Sequence, residues 1–302
     1  MRPHHAQWRT ELRRLALVTS MGGEVIRLPA GHHNATPLVQ TQRVRDQHPY
    51  LSGPSPRAFA HRGWHLDELH GMENSLSAFR RAADEGFRYV ETDVQATSDG
   101  VVVVQHDEVL DRTTDRTGRI PDLPWTQVGA AKVGGREEIP RLEAALEELP
   151  GLMFNIDVKA DNAVWPVLEV LQRTNAWDRV CLASFSDKRL ATLRRHAGEK
   201  LITSMGPLTV AALWSSGWAS WLGTGRFVQG AMAQVPVRQG PLRVVDERFV
   251  RTAVARGLEV HVWTVDEQAQ MRELLDLGVH GLVTDRPDLL REVLRSRGQW
   301  PE

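Results

Sequence analysis

From Arg57 onward the chain alternates short β-branched runs with amphipathic stretches, and this alternation limits the possible fold more than any other feature. AFAH (58–61) precedes SLSAFRRAADEG (75–86), MFNIDV (153–158) precedes a helical stretch ending in VLEVLQRT (167–174), and VCLASF (180–185) precedes DKRLATLRRHAG (187–198). Such a pattern predicts a parallel sheet with helices packed outside it. It continues through LITSM (201–205), FVQGAMAQVP (227–236), EVHVWTV (259–265) and GLVTD (281–285). Adding YVETDV (89–94) and VVVVQH (101–106) gives nine candidate strands, one more than a (β/α)8 barrel closes with. The surplus lies around Ser98-Asp99-Gly100, because parallel neighbours need a crossover of about a dozen residues and this turn is far shorter.

A chain of 302 residues leaves room for one barrel of about 250 residues and an appendage. Residues 1–56 are rich in His, Gln, Arg and Pro, with a helix-like piece only near Trp8 to Leu17. They are expected to form a partly disordered N-terminal extension to a barrel spanning 57–298. Within the barrel, residues 110–140 carry Gly118, Pro121, Pro124, Gly129, Gly134, Gly135 and Pro140, which predicts a long inserted loop. The formal net charge of -1 gives no field to gather nucleic acid or anionic membrane. No apolar run approaches the ~20 residues that span a bilayer, and the N-terminus lacks an apolar signal core, so a cytoplasmic location is expected. The sole cysteine, Cys181, lies in an apolar run and reads as buried and inert, which fits a reducing compartment. Trp214, Trp218 and Trp221, three or four residues apart, read as a packed helix flank.

The strand ends collect the polar residues. In YVETDV the alternation puts Glu91 and Asp93 on one face, and two like charges aimed into a core are costly unless something compensates them. Other strands end in His61-Arg62-Gly63, His106-Asp107, Asp157 with Lys159, Ser184, Trp263 and Thr284-Asp285. In a barrel these share the face where catalytic groups belong. Glu91, Asp93 and Asp157, with no cysteine nearby, form an oxygen-rich set suited to Mg²⁺ or Ca²⁺ rather than zinc. Two histidines beside a cation, with Arg62 and Lys159 for an anion, are what phosphodiester cleavage needs. One imidazole takes a proton from the nucleophile, the other protonates the leaving alkoxide, and the cations stabilise phosphoryl charge.

Several segments together resemble the glycerophosphodiester phosphodiesterase family, whose barrel is like that of phosphatidylinositol-specific phospholipase C. They are AHRG (60–63), MENSLSAFRRAADEG (72–86), ETDVQATSDGVVVVQHDEVLDRTTDRTG (91–118), NIDVK (155–159), ASF (183–185), VWTVD (262–266) and HGLVTDRPD (280–288). The resemblance implies a (β/α)8 TIM barrel with a segment inserted after the third family strand. It implies a divalent metal on Glu91, Asp93 and Asp157, and His61 and His106 as general acid and base. Arg62 and Lys159 match phosphate contacts, Glu73 a supporting acid, and Trp263 an apolar wall for glycerol. The implied reaction converts a small-molecule glycerophosphodiester to glycerol 3-phosphate and an alcohol, through a cyclic phosphate. Two departures stand out: Asp157 replaces the family's glutamate, and WHLDELHGM (64–72) is long and lacks the usual proline before Glu73. Two alternatives keep the same residues. One is a phosphodiesterase of lysophospholipase D or phospholipase C type acting on lipid substrates; the other is a barrel that only binds anions.

Overall fold

The computed structural model describes residues 48–217 and 228–301. Eight parallel strands close a barrel among them: β1 (Arg57–His61), β2 (Tyr89–Ala96), β4 (Met153–Val158), β5 (Val180–Ala183), β6 (Ile202–Thr203), β7 (Met232–Pro236), β8 (Glu259–Trp263) and β9 (Gly281–Thr284). The order around the barrel is β6-β5-β4-β2-β1-β9-β8-β7, and a parallel bridge between Ser204 and Met232 brings β6 back to β7. The ninth strand, β3 (Val102–Val104), is the surplus one. It turns back antiparallel on β2, pairing Val104 with Val94, as the short turn at Ser98–Gly100 requires.

Seven helices follow the pattern expected from the sequence: α1 (Leu76–Asp84), α2 (Leu142–Glu148), α3 (Val164–Thr174), α4 (Asp187–Ala197), α5 (Pro207–Ser216), α6 (Glu247–Val254) and α7 (Gln268–Asp276), before the closing α8 (Pro287–Ser296). Serines or an aspartate cap α1, α4 and α6, each accepting from the backbone N–H three residues on: Ser75 from Ala78, Ser186 from Arg189 and Asp246 from Phe249. The main core lies between helices and barrel, where Phe79 of α1 meets Phe154 of β4 edge-on. Trp214 is partly buried against this core, while Trp218, Trp221 and the helix expected near Trp8 to Leu17 fall outside the described residues.

Strand periodicity builds the barrel interior in rungs. Register pairs Phe59 with Tyr89 and His61 with Glu91, then Tyr89 with Met153, Glu91 with Asn155 and Asp93 with Asp157. The side chains of one strand face therefore run from aromatic below to acidic above. Gly281 keeps the middle rung open. A Cβ there would stand 2.9 Å from His261 Cδ2 and 3.1 Å from Phe59 Cε2, so no larger residue fits.

Two segments are more structured than the sequence suggests. Residues 48–56, set apart as extension, pack under the barrel: Tyr50 is fully buried against Phe59 and Tyr89. Their anchor is Arg57, which donates to the carbonyls of Leu51 and Gly53 and to both carboxylate oxygens of Glu259. The 110–140 insertion, expected to be a loop, has a small core of its own formed by Leu110, Ile120, Val128, Ala131, Val133 and Ile139, with Met72 and Val103 joining it. Its glycines and prolines shape tight turns around these six apolar residues; Gly134, for one, sits at φ +57° in the turn of a two-stranded ribbon.

Candidate active site

β1 ends in two consecutive left-handed residues, Arg62 (φ 57°) and Gly63 (φ 85°). The turn lets Arg62 face the barrel mouth while the backbone touches α1. A Cβ on Gly63 would lie 2.8 Å from the carbonyl carbon of Ala78, so the HRG glycine is sterically required. Asn74, also left-handed, hydrogen-bonds through its N–H to the Arg62 carbonyl. Its side chain accepts from Thr92 and donates to Asp93 Oδ2 at 3.2 Å, which fixes that carboxylate from behind. Neither Asn74 nor its role was foreseen from the sequence, although it adjoins Glu73 in the MENS motif.

His61, Arg62, Glu91, Asp93, Asp157, Lys159 and Trp263 line one cleft of about 340 Å³ at the barrel mouth. Lys159 Nζ bridges Asp93 Oδ1 and Asp157 Oδ2, 2.6 Å from each. Burial works against its charge, but Asp157 and then Asp93 outweigh it and push the ammonium up to about 12. Arg62 donates to Glu73 Oε1 at 2.8 Å; its Nε stands 3.2 Å from Asp93 Oδ2 without the alignment of a hydrogen bond, so that contact is ionic. His106 and Glu73 are not among the lining residues. His106 follows Gln105, whose N–H bonds the Asp93 carbonyl, and it helps Lys159 and Arg62 hold the Asp93 carboxyl well below the usual range. Arg112 of the insertion ties Glu73 to Asp107, bonding both carboxylates.

Each histidine is held by an aspartate at Nδ1. Asp285 Oδ1 lies 2.5 Å from His61, and Asp107 Oδ1 lies 2.5 Å from His106. A carboxylate at Nδ1 makes that nitrogen the donor and fixes the ring's orientation. His61 Nε2 lies 3.6 Å from Glu91 Oε2. Burial lowers the His61 pKa, but Glu91 and then Asp285 more than reverse this, with Arg62 opposing them. With His61 in the acid–base role expected from the sequence, Asp285→Asn should therefore move its pH–rate limb to lower pH. It should also reduce kcat by less than removal of the imidazole, an effect of about 10²- to 10⁴-fold. A pH–rate profile superimposable on wild type would show that Asp285 does not orient His61.

The acids fit a hard cation in donor type and in charge. Glu91 is pushed upward by burial and then by the charge of Asp93, so an ionised Glu91 needs a further positive partner. Glu91 Oε2 and Asp157 Oδ1 are buried with no hydrogen-bond partner. Among the described residues no three acidic, histidine or cysteine side chains enclose an ion-sized site, and the Lys159 ammonium stands between two of the three carboxylates.

Residues 61–289 match the model of the glycerophosphoryl diester phosphodiesterase family. The chain belongs to that family. It is 41% identical over 248 residues to a Mycobacterium tuberculosis protein named as glycerophosphodiester phosphodiesterase 2, covering 80% of this chain and 92% of the relative. A Caldanaerobacter subterraneus glycerophosphodiester phosphodiesterase is 28% identical over 254 residues, covering 79% and 98%. The crystal structure of an Agrobacterium tumefaciens glycerophosphodiester phosphodiesterase superposes with a TM-score of 0.64 at 25% identity, covering 80% and 99%. The family match thus takes in every candidate site residue from His61 to Trp263. No helix among the described residues is long and apolar enough to cross a membrane.

Proposed function

We propose that this family member hydrolyses glycerophosphodiesters to glycerol 3-phosphate and an alcohol. The observation that carries the reading is one cleft in which Arg62 and Lys159 stand beside three buried carboxylates and His61. Arg62 and Lys159 bind the phosphoryl oxygens, and Trp263 lies against the glycerol. His61 stands beside Glu91, and His106 is near enough to Asp93 to act on its charge. One removes the proton of the glycerol hydroxyl that attacks phosphorus, and the other protonates the departing alkoxide. Water then opens the cyclic phosphate with the roles reversed.

Glu91, Asp93 and Asp157 are the residues that would hold Mg²⁺ or Ca²⁺, with the oxygens Glu91 Oε2 and Asp157 Oδ1 available to it. Bound there, the cation would neutralise charge on the phosphoryl oxygens. The test is release of glycerol 3-phosphate from glycerophosphocholine with and without chelator. Turnover should stop on chelation and return with Mg²⁺ or Ca²⁺. No hydrolysis with either ion would refute the activity, and full activity of metal-free protein would refute the cation.

Asp157 gives a sharper check, because it is one methylene shorter than the family's glutamate. Asp157→Asn keeps the shape but removes an anion, and should weaken metal binding by about 10- to 100-fold, whereas Asp157→Glu should bind at least as tightly as wild type. Calorimetric titration with Mg²⁺ reads this directly; equal affinity in Asp157→Asn would remove Asp157 from the ligand set.

A further inference from the structure

Two amides, Asn155 and Gln234, lie below the acids on the floor of the cleft. Asn155 is the inward-facing residue of β4 before Asp157, in register with Glu91, and is 4% exposed. Gln234 is in register with His261 of β8. Around the barrel β5 and β6 separate β7 from β4, so the 3.0 Å bond from Gln234 Nε2 to Asn155 Oδ1 crosses the interior. Gln234 Nε2 also stands 3.4 Å from His261 Nδ1, and His261 Nε2 stands 2.9 Å from Glu259 Oε2. Arg57 completes the chain by donating to both oxygens of Glu259.

Polarity runs along this chain in one direction. Glu259, paired to Arg57 at 2.8 Å, only accepts, so His261 Nε2 carries a proton. Burial holds the His261 pKa below its usual range, the ring is neutral, and Nδ1 is left as an acceptor. An acceptor there requires an N–H, so Gln234 turns its amide nitrogen to the ring and not its oxygen. Its second N–H goes to Asn155 Oδ1. The ring itself is fully buried, with the Phe59 centroid 5.0 Å away and Gly281 against its Cδ2 edge. What is left at the cleft floor is an acceptor, Gln234 Oε1, beside a donor, Asn155 Nδ2. Among the described residues neither atom meets a partner.

A donor beside an acceptor matches a hydroxyl, which does both. Arg62 and Lys159 hold the phosphate nearer the mouth, and the glycerol hydroxyl next to the phosphate is the one that attacks. The hydroxyl on the far carbon remains for the floor. We propose that His261 is a positioning residue: through Gln234 it fixes the amide pair so that Asn155 Nδ2 and Gln234 Oε1 bind the glycerol hydroxyl farthest from the phosphate. The inference rests on the phosphodiesterase reading and names how that site selects its substrate. An ester oxygen at the same carbon accepts from Asn155 but has no proton to donate to Gln234, so diesters with this hydroxyl free are preferred.

The experiment is calorimetric binding to the full chain with Mg²⁺. The ligands are glycerol 3-phosphate and 2-hydroxypropyl phosphate of the same configuration, which lacks only the far hydroxyl. Its loss should weaken binding by about 10- to 100-fold, because the two floor groups are left unpaired. His261→Leu should bring the two affinities to within about threefold, whereas His261→Asn, whose side-chain oxygen stands in for Nδ1, should keep most of the ratio. Gln234→Leu removes the acceptor itself and should also erase the ratio; it serves should the His261 variants fail to fold. A histidine that only supported the fold would change both affinities together and leave their ratio intact. No binding of glycerol 3-phosphate to the wild type, equal binding of the two ligands, a full ratio in His261→Leu or Gln234→Leu, or equal losses in His261→Asn and His261→Leu would overturn the proposal. Binding is read without turnover, so inactivity toward glycerophosphocholine with an intact ratio refutes the phosphodiesterase reading alone. Turnover with equal binding of the two ligands refutes this inference alone.

Discussion

His61→Ala and His106→Ala should each lower kcat by about 10²- to 10⁴-fold, and the double variant should lose little more than the worse single one. In the proposed mechanism the two imidazoles serve one proton-transfer sequence. Once either is gone, the reaction proceeds by whatever charge stabilisation Arg62, Lys159 and the acid cluster still provide, and the second histidine has no paired step to assist. Both are held alike, with an aspartate 2.5 Å from Nδ1. Their settings differ. His61 lines the cleft and its Nε2 lies near Glu91, whereas His106 is 9% exposed, is not among the lining residues, and bonds Asp107 of the Asp107–Arg112–Glu73 linkage. Single-turnover kinetics on the two single variants and the double variant separate the chemical step from product release. Near wild-type turnover in His106→Ala would remove it from the proton-transfer pair, and losses that simply multiply in the double variant would show that the histidines act independently.

The parts of this molecule legible in its sequence are those written within a single strand. The alternation Tyr89, Glu91, Asp93 reports one face of one strand, so two acids aimed inward could be read without a partner in view. The antiparallel β3 followed from a turn length, again a local quantity. What escaped depends on contacts between distant segments. Asp285 was visible as a polar strand end, but its bond to His61 spans 224 positions and exists only because β9 lies beside β1. Asn155 and Gln234 line the cleft and bond each other at 3.0 Å, yet a single uncharged amide within a strand carries no signal of its own. The insertion reads as a loop but its compactness stayed hidden, because glycine and proline mark turns equally in a structureless segment and in a compact one. The six apolar residues that form its core have no regular period to reveal them.

Breaking the ion pair at the barrel's lower end should have the largest effect on stability. Arg57 opens β1 and Glu259 opens β8; their side chains are 2% and 7% exposed and 2.8 Å apart. Glu259 also accepts from His261 Nε2 at 2.9 Å, and His261 is fully buried. Glu259→Gln leaves the Arg57 charge without its carboxylate in a site closed by residues 48–56, and removal of one partner from such a pair costs about 3–5 kcal/mol. Replacing both, as Arg57→Met with Glu259→Leu, removes the stranded charge. It still leaves the Leu51 and Gly53 carbonyls without their donor, so recovery should be partial. The same cluster sets a pH dependence. Burial pushes the Glu259 pKa up, but His261 and Arg57 outweigh it and hold it far below its usual 4.5, while burial lowers His261 below 6.5. In both cases the unfolded chain binds the proton first. The stabilisation is therefore complete above about pH 6.5 and falls with pH, through His261 first and through Glu259 below about 4.5. Urea unfolding midpoints at pH 7.5, 5.5 and 4 read both effects: Glu259→Gln should unfold at much lower urea at pH 7.5, and its midpoint should fall less steeply than wild type between pH 5.5 and 4. An unchanged midpoint at pH 7.5 would mean that the segment under the barrel is held by the packing of Tyr50 rather than by the charge pair.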